Sequence, residues 1–148
     1  MRAMSPVIAT VVIVAVTLAV AIAVALWATG LIGGFTGTEN LQIVNAYATP
    51  SGGGWAVTLQ VKNAGTTTAT IDNVFVNGIP CNQISIGNST ITLSVALPLS
   101  LSPGSNTAIT LSIPQGSGAV MSFSSGQQVE IKLHSASGKT YPVQVVLP

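Results

Sequence analysis

An uncharged run of apolar residues, Val7 to Trp27, lies near the N-terminus behind a basic residue, Arg2. At a rise of about 1.5 Å per residue, a helix over this run is about 30 Å long, which matches the hydrocarbon thickness of a bilayer. A secretory signal peptide has a shorter apolar run, followed by a cleavage site made of small residues. The sequence therefore predicts a retained helix that can span a membrane.

The residues before this run predict how the helix begins. Ser5 stands where its hydroxyl can cap the first free backbone N–H groups. Pro6 follows at the first helical position, where a missing N–H has no cost. We therefore expect a helix with a defined start.

Small side chains recur along the predicted helix at a spacing of four. They form two rows: Ala15, Ala19 and Ala23 in the first, and Ala21, Ala25 and Thr29 in the second. In lipid, such rows let helices approach closely, and they are the usual contact surface between helices. The first row is our candidate helix-packing surface. An alanine-rich membrane anchor without a helical partner remains the alternative.

Composition divides the chain into two parts suited to different solvents. Residues 4–35 are mostly apolar, whereas residues 36–148 are rich in Ser, Thr, Asn, Gln and Gly. Four glycines lie at the boundary: Gly30, Gly33, Gly34 and Gly37. Because glycine weakens helix continuation, they predict a hinge or helix end between a rod and a head. The head, at about 110 residues, is long enough for one domain with its own core.

Alternation of apolar and polar residues predicts that the head is all β. Four segments show it: Val57 to Val61, Ile91 to Leu97, Ile109 to Ile113 and Val129 to Leu133. Turn residues lie between them at Ser51 to Gly54, Asn77-Gly78, Pro103-Gly104 and Ser137-Gly138. Short strands with no helical period among them are typical of an immunoglobulin-like sandwich. The predicted fold class is α+β, a long N-terminal hydrophobic helix followed by this sandwich.

Charged residues are scarce. They make up 5% of the chain, against roughly 25% in an ordinary soluble domain. A surface with so little charge favours association with copies of itself. The net charge of +1 provides no electrostatic footprint for nucleic acid, so no nucleic-acid partner is predicted.

The single cysteine, Cys81, excludes a disulfide framework within the chain. We interpret Cys81 as a buried small hydrophobe, with a disulfide between subunits as the alternative. A catalytic pair of Cys81 with His134 lacks a supporting local motif. A blue-copper site would need two His ligands, and the chain has only His134.

The remaining ionisable residues show no pattern of acid-base chemistry. Asp72, Glu39 and Glu130 are scattered along the chain. His134 alternates with Glu130 and Lys132, which predicts a solvated polar row on one strand face. No catalytic residue, cofactor site or metal site is predicted. One modification site is: Asn88-Ser89-Thr90 has the pattern of an N-glycosylation acceptor at Asn88.

The N-terminal segment Arg2-Ala3-Met4-Ser5-Pro6-Val7-Ile8-Ala9-Thr10, which runs into the apolar helix, resembles the N-terminus of archaeal type IV pilins. The resemblance covers about the first 35 residues. It implies that a prepilin peptidase cuts between Ala3 and Met4, so that residues 1–3 are a leader remnant. A mature chain that begins at Met1 remains the alternative. The fifth position after the cut is Ile8, where bacterial type IV pilins have Glu, which favours the archaeal branch.

The resemblance also implies a function and partners. The subunit would reside in the cytoplasmic membrane, be extracted by a pilus assembly ATPase and its membrane platform, and join an extracellular homopolymer. A Ser-Pro-Val-Ile start favours an adhesion pilus over an archaellum, whose subunits start with a Gly-Ile-Gly-like helix. The alternative is a monomeric, membrane-anchored cell-surface binding domain. An anchored enzyme is the least supported reading, because no constellation of residues carries chemistry.

Overall fold

The structure, a computed structural model, describes residues 5–30 and 37–148. The chain divides into two compact units, Met1–Gly37 and Thr38–Pro148. The predicted cleavage residues Ala3 and Met4, and the hinge residues Gly33 and Gly34, lie outside the described residues.

The first unit contains one long α-helix, α1, which begins at Pro6 and ends at Ala28. Ser5 occupies the N-cap position, but its side chain makes no capping hydrogen bond, so the prediction of a Ser5 hydroxyl cap was wrong. Instead, the Ser5 carbonyl oxygen accepts the Ala9 N–H at 3.1 Å and closes the first turn. Pro6 stands in the first turn as predicted, so one fewer N–H group needs a cap.

The C-terminal end of α1 is closed by backbone bonds and a glycine. The Thr29 N–H donates to the Ala25 carbonyl at 3.0 Å, and the Gly30 N–H donates to the Trp27 carbonyl at 3.1 Å. Gly30 has a φ of +71°, the left-handed conformation that commonly ends helices. The predicted glycine stop therefore falls at the first of the four boundary glycines.

The second unit, the head, is built from strands. In chain order they are β1 Leu41–Ser51, β2 Gly54–Asn63, β3 Ala69–Val76, β4 Ile79–Pro80, β5 Ser85–Ile86, β6 Ser89–Thr90, β7 Thr92–Leu93, β8 Leu99–Leu101, β9 Asn106–Pro114, β10 Gly116–Ser117, β11 Ser122–Phe123, β12 Gln128–Ser135 and β13 Thr140–Val146. A single 3-10 turn, Cys81–Gln83, interrupts them after β4. The sequence pattern did not predict this turn.

In residues 37–148 the strands form two main antiparallel sheets. The first has the order β1-β2-β9-β7; the second has the order β13-β12-β3-β4, with β8 also pairing with β3. Two short pairs, β5–β6 and β10–β11, complete the head. The prediction of an N-terminal apolar helix followed by an antiparallel, immunoglobulin-like sandwich is confirmed.

Three of the predicted tight turns lie in hairpins and contain positive φ angles; one of them is Ser137-Gly138 between β12 and β13, where Gly138 has a φ of +87°. In the hairpin Ser51–Gly54, Gly52 and Gly53 have φ values of +53° and +86°. Asn77 and Gly78, between β3 and β4, have φ values of +49° and +86°. Asn and Gly tolerate this region because they carry little or no steric penalty there. The sequence therefore located these three hairpins correctly.

The core lies between the two sheets, on the apolar faces that alternation predicted. Three of the four predicted segments alternate as expected, with these buried residues: Val57, Leu59, Val61, Ile109, Leu111, Ile113, Val129, Ile131 and Leu133. All nine are 0% exposed. Burial of their side chains is the dominant favourable contribution to head folding.

The fourth predicted segment, Ile91 to Leu97, is a strand only at Thr92–Leu93, which is β7, and the next strand, β8, begins beyond the segment at Leu99. β7 pairs with β9 in the first sheet, whereas β8 pairs with β3 in the second. Between them the chain passes from one sheet to the other. Burial still alternates along the segment, because both sheets face the same core. An alternating pattern reports a buried face but not the sheet to which a strand belongs.

The four predicted segments also omit β1, β3 and β13. Val44 interrupts the pairing of β1 with β2 as an extra residue, and Asp72 does the same in β3 opposite β12. Each such bulge breaks the period of two. In β13, Pro142 stands in an outer strand, a position in which proline is tolerated.

Candidate assembly surface

The surface of α1 is apolar on every side. No residue of α1 is buried within the described parts of the chain. The exposed fractions of its large apolar side chains range from 43% at Leu26 to 73% at Trp27. A helix that is hydrophobic all round is stable only inside lipid or among other helices. The whole helix is therefore the candidate interaction surface.

The polar side-chain atoms of α1 are satisfied within the helix. The Thr10 hydroxyl donates to the Val7 carbonyl at 2.8 Å, and the Thr17 hydroxyl lies 2.9 Å from the Ile13 carbonyl. At the C-cap, directly after α1, the Thr29 hydroxyl likewise donates to the Ala25 carbonyl at 2.9 Å. Threonine thus adds no unpaired polar atom to a surface that meets hydrocarbon, where each such atom costs several kcal/mol.

The length of α1 also suits a bilayer. It has 23 residues, which at 1.5 Å per residue gives about 34 Å. Among the described residues it is the one helix long and apolar enough to cross a membrane. The exposed Trp27 lies in its last turn, the position typical of aromatic residues at a membrane interface.

The two rows of small residues lie on exposed parts of α1. Ala15, Ala19 and Ala23 of the predicted packing row are all exposed. Ala15 lines a shallow apolar groove with Val11 and Leu18. A second groove is lined by the other row, through Ala21 and Ala25, with Val20, Val24 and Ala28 beside them. Small residues therefore lower the helix surface at Ala15 and along the second row, where the ridges of another helix can pack.

The segment that enters the head is bonded to it. The Thr66 N–H donates to the Thr38 carbonyl at 2.9 Å, and the Ala64 N–H donates to the Asn40 carbonyl at 2.8 Å. The Lys139 ammonium donates to the Glu39 carbonyl at 2.7 Å. Gly37, the last of the predicted hinge glycines, is exposed immediately before this segment. The head therefore begins at Thr38, where its first hydrogen bonds form.

A buried asparagine organises this entry. Asn63 is 0% exposed, and its amide nitrogen donates to the Thr67 and Leu101 carbonyls at 2.8 and 2.9 Å. Its amide oxygen accepts the Gly65 N–H at 2.9 Å. A β-carbon on Gly65 would lie 2.2 Å from the Thr38 carbonyl oxygen, so the entering segment packs directly on this glycine. Sequence reasoning missed both residues, because neither belongs to a motif.

Tyr141 of β13 lies beside Glu39 of the entering segment. Its hydroxyl lies 3.5 Å from a carboxylate oxygen of Glu39. Burial raises the pKa of the Tyr141 phenol, and the adjacent Glu39 carboxylate adds to the rise. The phenol therefore stays protonated and able to donate to Glu39 at neutral pH.

Cys81 is buried, as predicted, with 3% of its surface exposed at the start of the 3-10 turn. Burial raises the pKa of its thiol. A buried, protonated thiol is a poor nucleophile. No hydrogen bond joins Cys81 to His134 within the residues that the structure describes.

His134 lies on the predicted polar face of β12, where Glu130 and Lys132 form an ion pair at 2.7 Å. The structure adds a partner that the sequence did not indicate: the His134 Nδ1 lies 2.6 Å from the Asp72 carboxylate. The bulge in β3 places Asp72 beside β12. His134 also contacts the Phe75 ring edge-on, with centroids 6.1 Å apart.

Among the described residues, no third potential metal ligand joins the His134–Asp72 pair. In the described ranges, no three His, Cys, Asp or Glu side chains form a group that could hold a metal ion. Asp72 and His134 are both partly exposed, with 41% and 34% of their side-chain surfaces accessible. They form a surface pair on the charged face of the second sheet.

Asn88, the predicted glycosylation residue, is exposed in the tight turn between β5 and β6. Gly87 before it has a φ of +60°, which the turn requires. The acceptor amide is therefore accessible to a modifying enzyme.

No family model and no curated protein sequence matches the chain. Among solved structures, it is similar to the archaellum periplasmic stator protein FlaG from Sulfolobus acidocaldarius, with a TM-score of 0.46 and 23% identity, covering 72% of this chain and 99% of that chain. It is also similar to the stator complex of FlaF and FlaG from the same organism, with a TM-score of 0.44 and 25% identity, covering 70% and 86%. The Iho670 flagellar-like filament gives a TM-score of 0.39 and 17% identity, covering 97% and 98%. These similarities assign no family to the chain, and its function is inferred from its own helix and head.

Proposed function

We propose that this chain is a structural subunit of an extracellular archaeal type IV pilus, which polymerises through its N-terminal helix and serves in adhesion. The observation that carries the proposal is α1, a helix of 23 residues that is exposed and apolar on every side. Such a surface must be covered in every state that the protein occupies.

The mechanism is an exchange of one apolar environment for another. In the cytoplasmic membrane, α1 is stable because its backbone bonds and its threonine hydroxyls are satisfied internally. In the filament, the helices of neighbouring subunits replace lipid. Full exposure of one Val, Leu or Ile to water costs about 1.5 to 3 kcal/mol. The whole helix in water would therefore cost on the order of 20 kcal/mol, and polymerisation should be nearly irreversible.

The processing steps follow from the resemblance of the N-terminal segment to archaeal type IV pilins. A prepilin peptidase would cut between Ala3 and Met4 on the cytoplasmic side, and an assembly ATPase with its membrane platform would lift the subunit into the polymer. Arg2 before the helix favours a cytoplasmic N-terminus and an external head.

The head suits the outer sheath of such a polymer. Of all residues in the chain, 5% are charged, so copies of the head meet with little electrostatic repulsion. The hydrogen bonds of Thr38 and Asn40 fix the point at which the chain enters the head. Adhesion would be carried by the outward surfaces of the heads, with a sugar on Asn88 as a further component.

Electron microscopy of material sheared from cells tests the proposal. We expect filaments that contain this chain. We expect Ala19→Asp and Val20→Asp to abolish them, because a charge in the middle of the span costs several kcal/mol and α1 offers no basic partner.

The matched control is Thr140→Asp, which adds the same charge at an exposed position of the head. This variant should assemble normally. Normal filament yield from both helix variants would contradict the helical-core proposal, whatever the control does.

A monomeric, membrane-anchored surface domain is the second candidate, favoured by the membrane-spanning length of α1 and by Trp27 in its last turn. In that case, shearing releases no filament and the chain remains in the membrane fraction. Ala19→Asp would then reduce membrane insertion rather than assembly.

A further inference from the structure

A groove of about 480 Å³ lies at the end of the head opposite the entering segment. It is bordered by the hairpin Ser51–Gly54, at the far end of β1 from Leu41. We call it the hydroxyl groove after the polar side chains that line it, which come from four separate segments: Ser51, Ser89, Thr90, Thr92, Ser112 and Gln115.

These side chains are available to a ligand. Within residues 5–30 and 37–148, none of the five hydroxyls and neither end of the Gln115 amide hydrogen-bonds another residue. Elsewhere in the head several hydroxyls are already paired, as in Thr70 with Ser100. The hydroxyl groove thus gathers unpaired groups that both donate and accept hydrogen bonds.

The border of the groove is preformed. The Gln115 N–H donates to the Gly53 carbonyl at 3.1 Å, which joins the hairpin to the end of β9. A β-carbon on Gly54 would lie 2.2 Å from the Ile113 carbonyl oxygen, so the two segments are in close backbone contact. Next to it, the Trp55 indole donates to the Pro148 carbonyl at 2.8 Å. A ligand would therefore meet a shaped surface with little ordering cost.

The chemistry of the lining selects a class of ligand. No lining residue is charged, so neither an anion nor a cation finds a counter-charge. The apolar part of the lining is small, because Ile86 is buried and Pro114 is half-buried. Unpaired hydroxyl and amide groups, which both donate and accept hydrogen bonds, match the hydroxyls of a sugar. We infer that the hydroxyl groove binds a neutral carbohydrate.

The sugar has two possible sources. Asn88 lies in the turn whose next residues, Ser89 and Thr90, form part of the border, so a glycan attached there begins beside the groove. The other source is carbohydrate on another surface, which would be the ligand of an adhesive head. The inference goes beyond the proposed filament, because a monomeric anchored head would have the same groove.

The test uses the full-length chain in a zwitterionic detergent, since a sugar detergent would compete. Unglycosylated protein from a bacterial host is titrated with maltotriose, mannotriose and tri-N-acetylchitotriose, with sialyllactose as an anionic comparison, by saturation-transfer NMR. We expect at least one neutral trisaccharide to bind and Thr92→Val/Ser112→Ala to weaken it about tenfold, as expected for the loss of two hydrogen-bonding hydroxyls.

The control is Thr140→Val/Ser122→Ala, which removes the same groups at exposed positions outside the groove. It should leave the affinity unchanged. Absence of binding by all neutral probes, preference for sialyllactose, or equal loss in both double variants would overturn the inference.

A second arm separates the two sources, using protein from a glycosylating host. If the glycan on Asn88 fills the groove, Asn88→Gln, which carries no glycan there, binds the added trisaccharide more tightly than the glycosylated wild-type chain. If the ligand comes from another surface, the two bind equally. Filament yield is measured in parallel, because loss of sugar binding with normal filaments, or the reverse, shows which of the two proposals has failed.

Discussion

The side chain of Asn63 organises the region where the chain enters the head. Its side chain is fully buried and makes three hydrogen bonds, to Thr67, Leu101 and Gly65. We expect Asn63→Ala to destabilise the head by about 3 kcal/mol, since it removes three hydrogen bonds at about 1 kcal/mol each, of which the bond to Leu101 is buried. Denaturant unfolding of residues 38–148 measures the loss.

Asn45→Ala is the matched control for that measurement. Asn45 is exposed on β1, so its removal should change the free energy of unfolding by less than about 0.5 kcal/mol. A similar small effect of Asn63→Ala would mean that water replaces the three bonds.

Cys81 gives a second prediction at this scale. Burial raises the pKa of its thiol, so the folded state holds the proton more tightly than the unfolded state. The associated stability is present below the unfolded pKa and is lost as the pH rises through the folded pKa. We expect iodoacetamide at pH 8 to modify the unfolded chain much faster than the folded chain.

Cys81→Ser tests the packing role in the polymer. We expect filament mass and diameter to be unchanged by this substitution and by a reducing agent. A covalent dimer on a non-reducing gel, or filaments that fall apart on reduction, would instead reveal a disulfide between subunits.

At the level of elements, the position of the entering segment Thr38–Asn40 depends on Gly65, which has no side chain. A β-carbon on Gly65 would lie 2.2 Å from the Thr38 carbonyl oxygen and 2.7 Å from the Asn40 nitrogen, and both are backbone atoms that cannot rotate away. We expect Gly65→Ala to displace the segment. The Ala64 and Thr66 amides, which donate to it, should then exchange with solvent about tenfold faster or more.

Gly53→Ala is the control that distinguishes a steric clash of the new β-carbon from strain in the backbone. Gly53 has a φ of +86° but open space around its α-carbon, so alanine there costs about 1 to 2 kcal/mol in conformation. It should leave the protection of Ala64 and Thr66 relative to the rest of the head unchanged. If both variants expose these two amides equally, the close contact at Gly65 is not what holds the segment.

For the whole molecule, the boundary between the two compact units predicts where a protease cuts the chain. The sequence places the accessible stretch between about Gly30 and Glu39. Because Thr38 and Asn40 are hydrogen-bonded to the head, we expect the cut in membranes to fall before Thr38 and to release an intact head. Mass spectrometry of the released fragment locates the cut.

Assembled filaments should resist the same dose of protease, because neighbouring heads would cover the boundary. Equal cutting of membranes and filaments would mean that the heads form no closed sheath. The helical core would then be accessible to solvent, and the polymer proposal would be seriously weakened.

The sequence by itself determined the features that depend on local interactions. The uncharged run predicted α1, because a helix satisfies its backbone bonds within its own segment. The dipeptide Asn77-Gly78 predicted a hairpin, because those residues tolerate the positive φ angles of its turn. Alternation predicted the buried faces of β2, β9 and β12, and the burial of Cys81 followed from residue type.

The tertiary structure alone decided which distant residues meet. The bulge in β3 brings Asp72 to His134, and no spacing along the chain reports it. Gly65 acquires its role only when Thr38 packs on it, and Asn63 acquires its role when Leu101 comes within hydrogen-bond distance of its amide. The hydroxyl groove combines four separate segments in the same way. These features depend on strand register and on the order of strands in each sheet, which are set by hydrogen bonds between distant segments rather than by the local residue pattern.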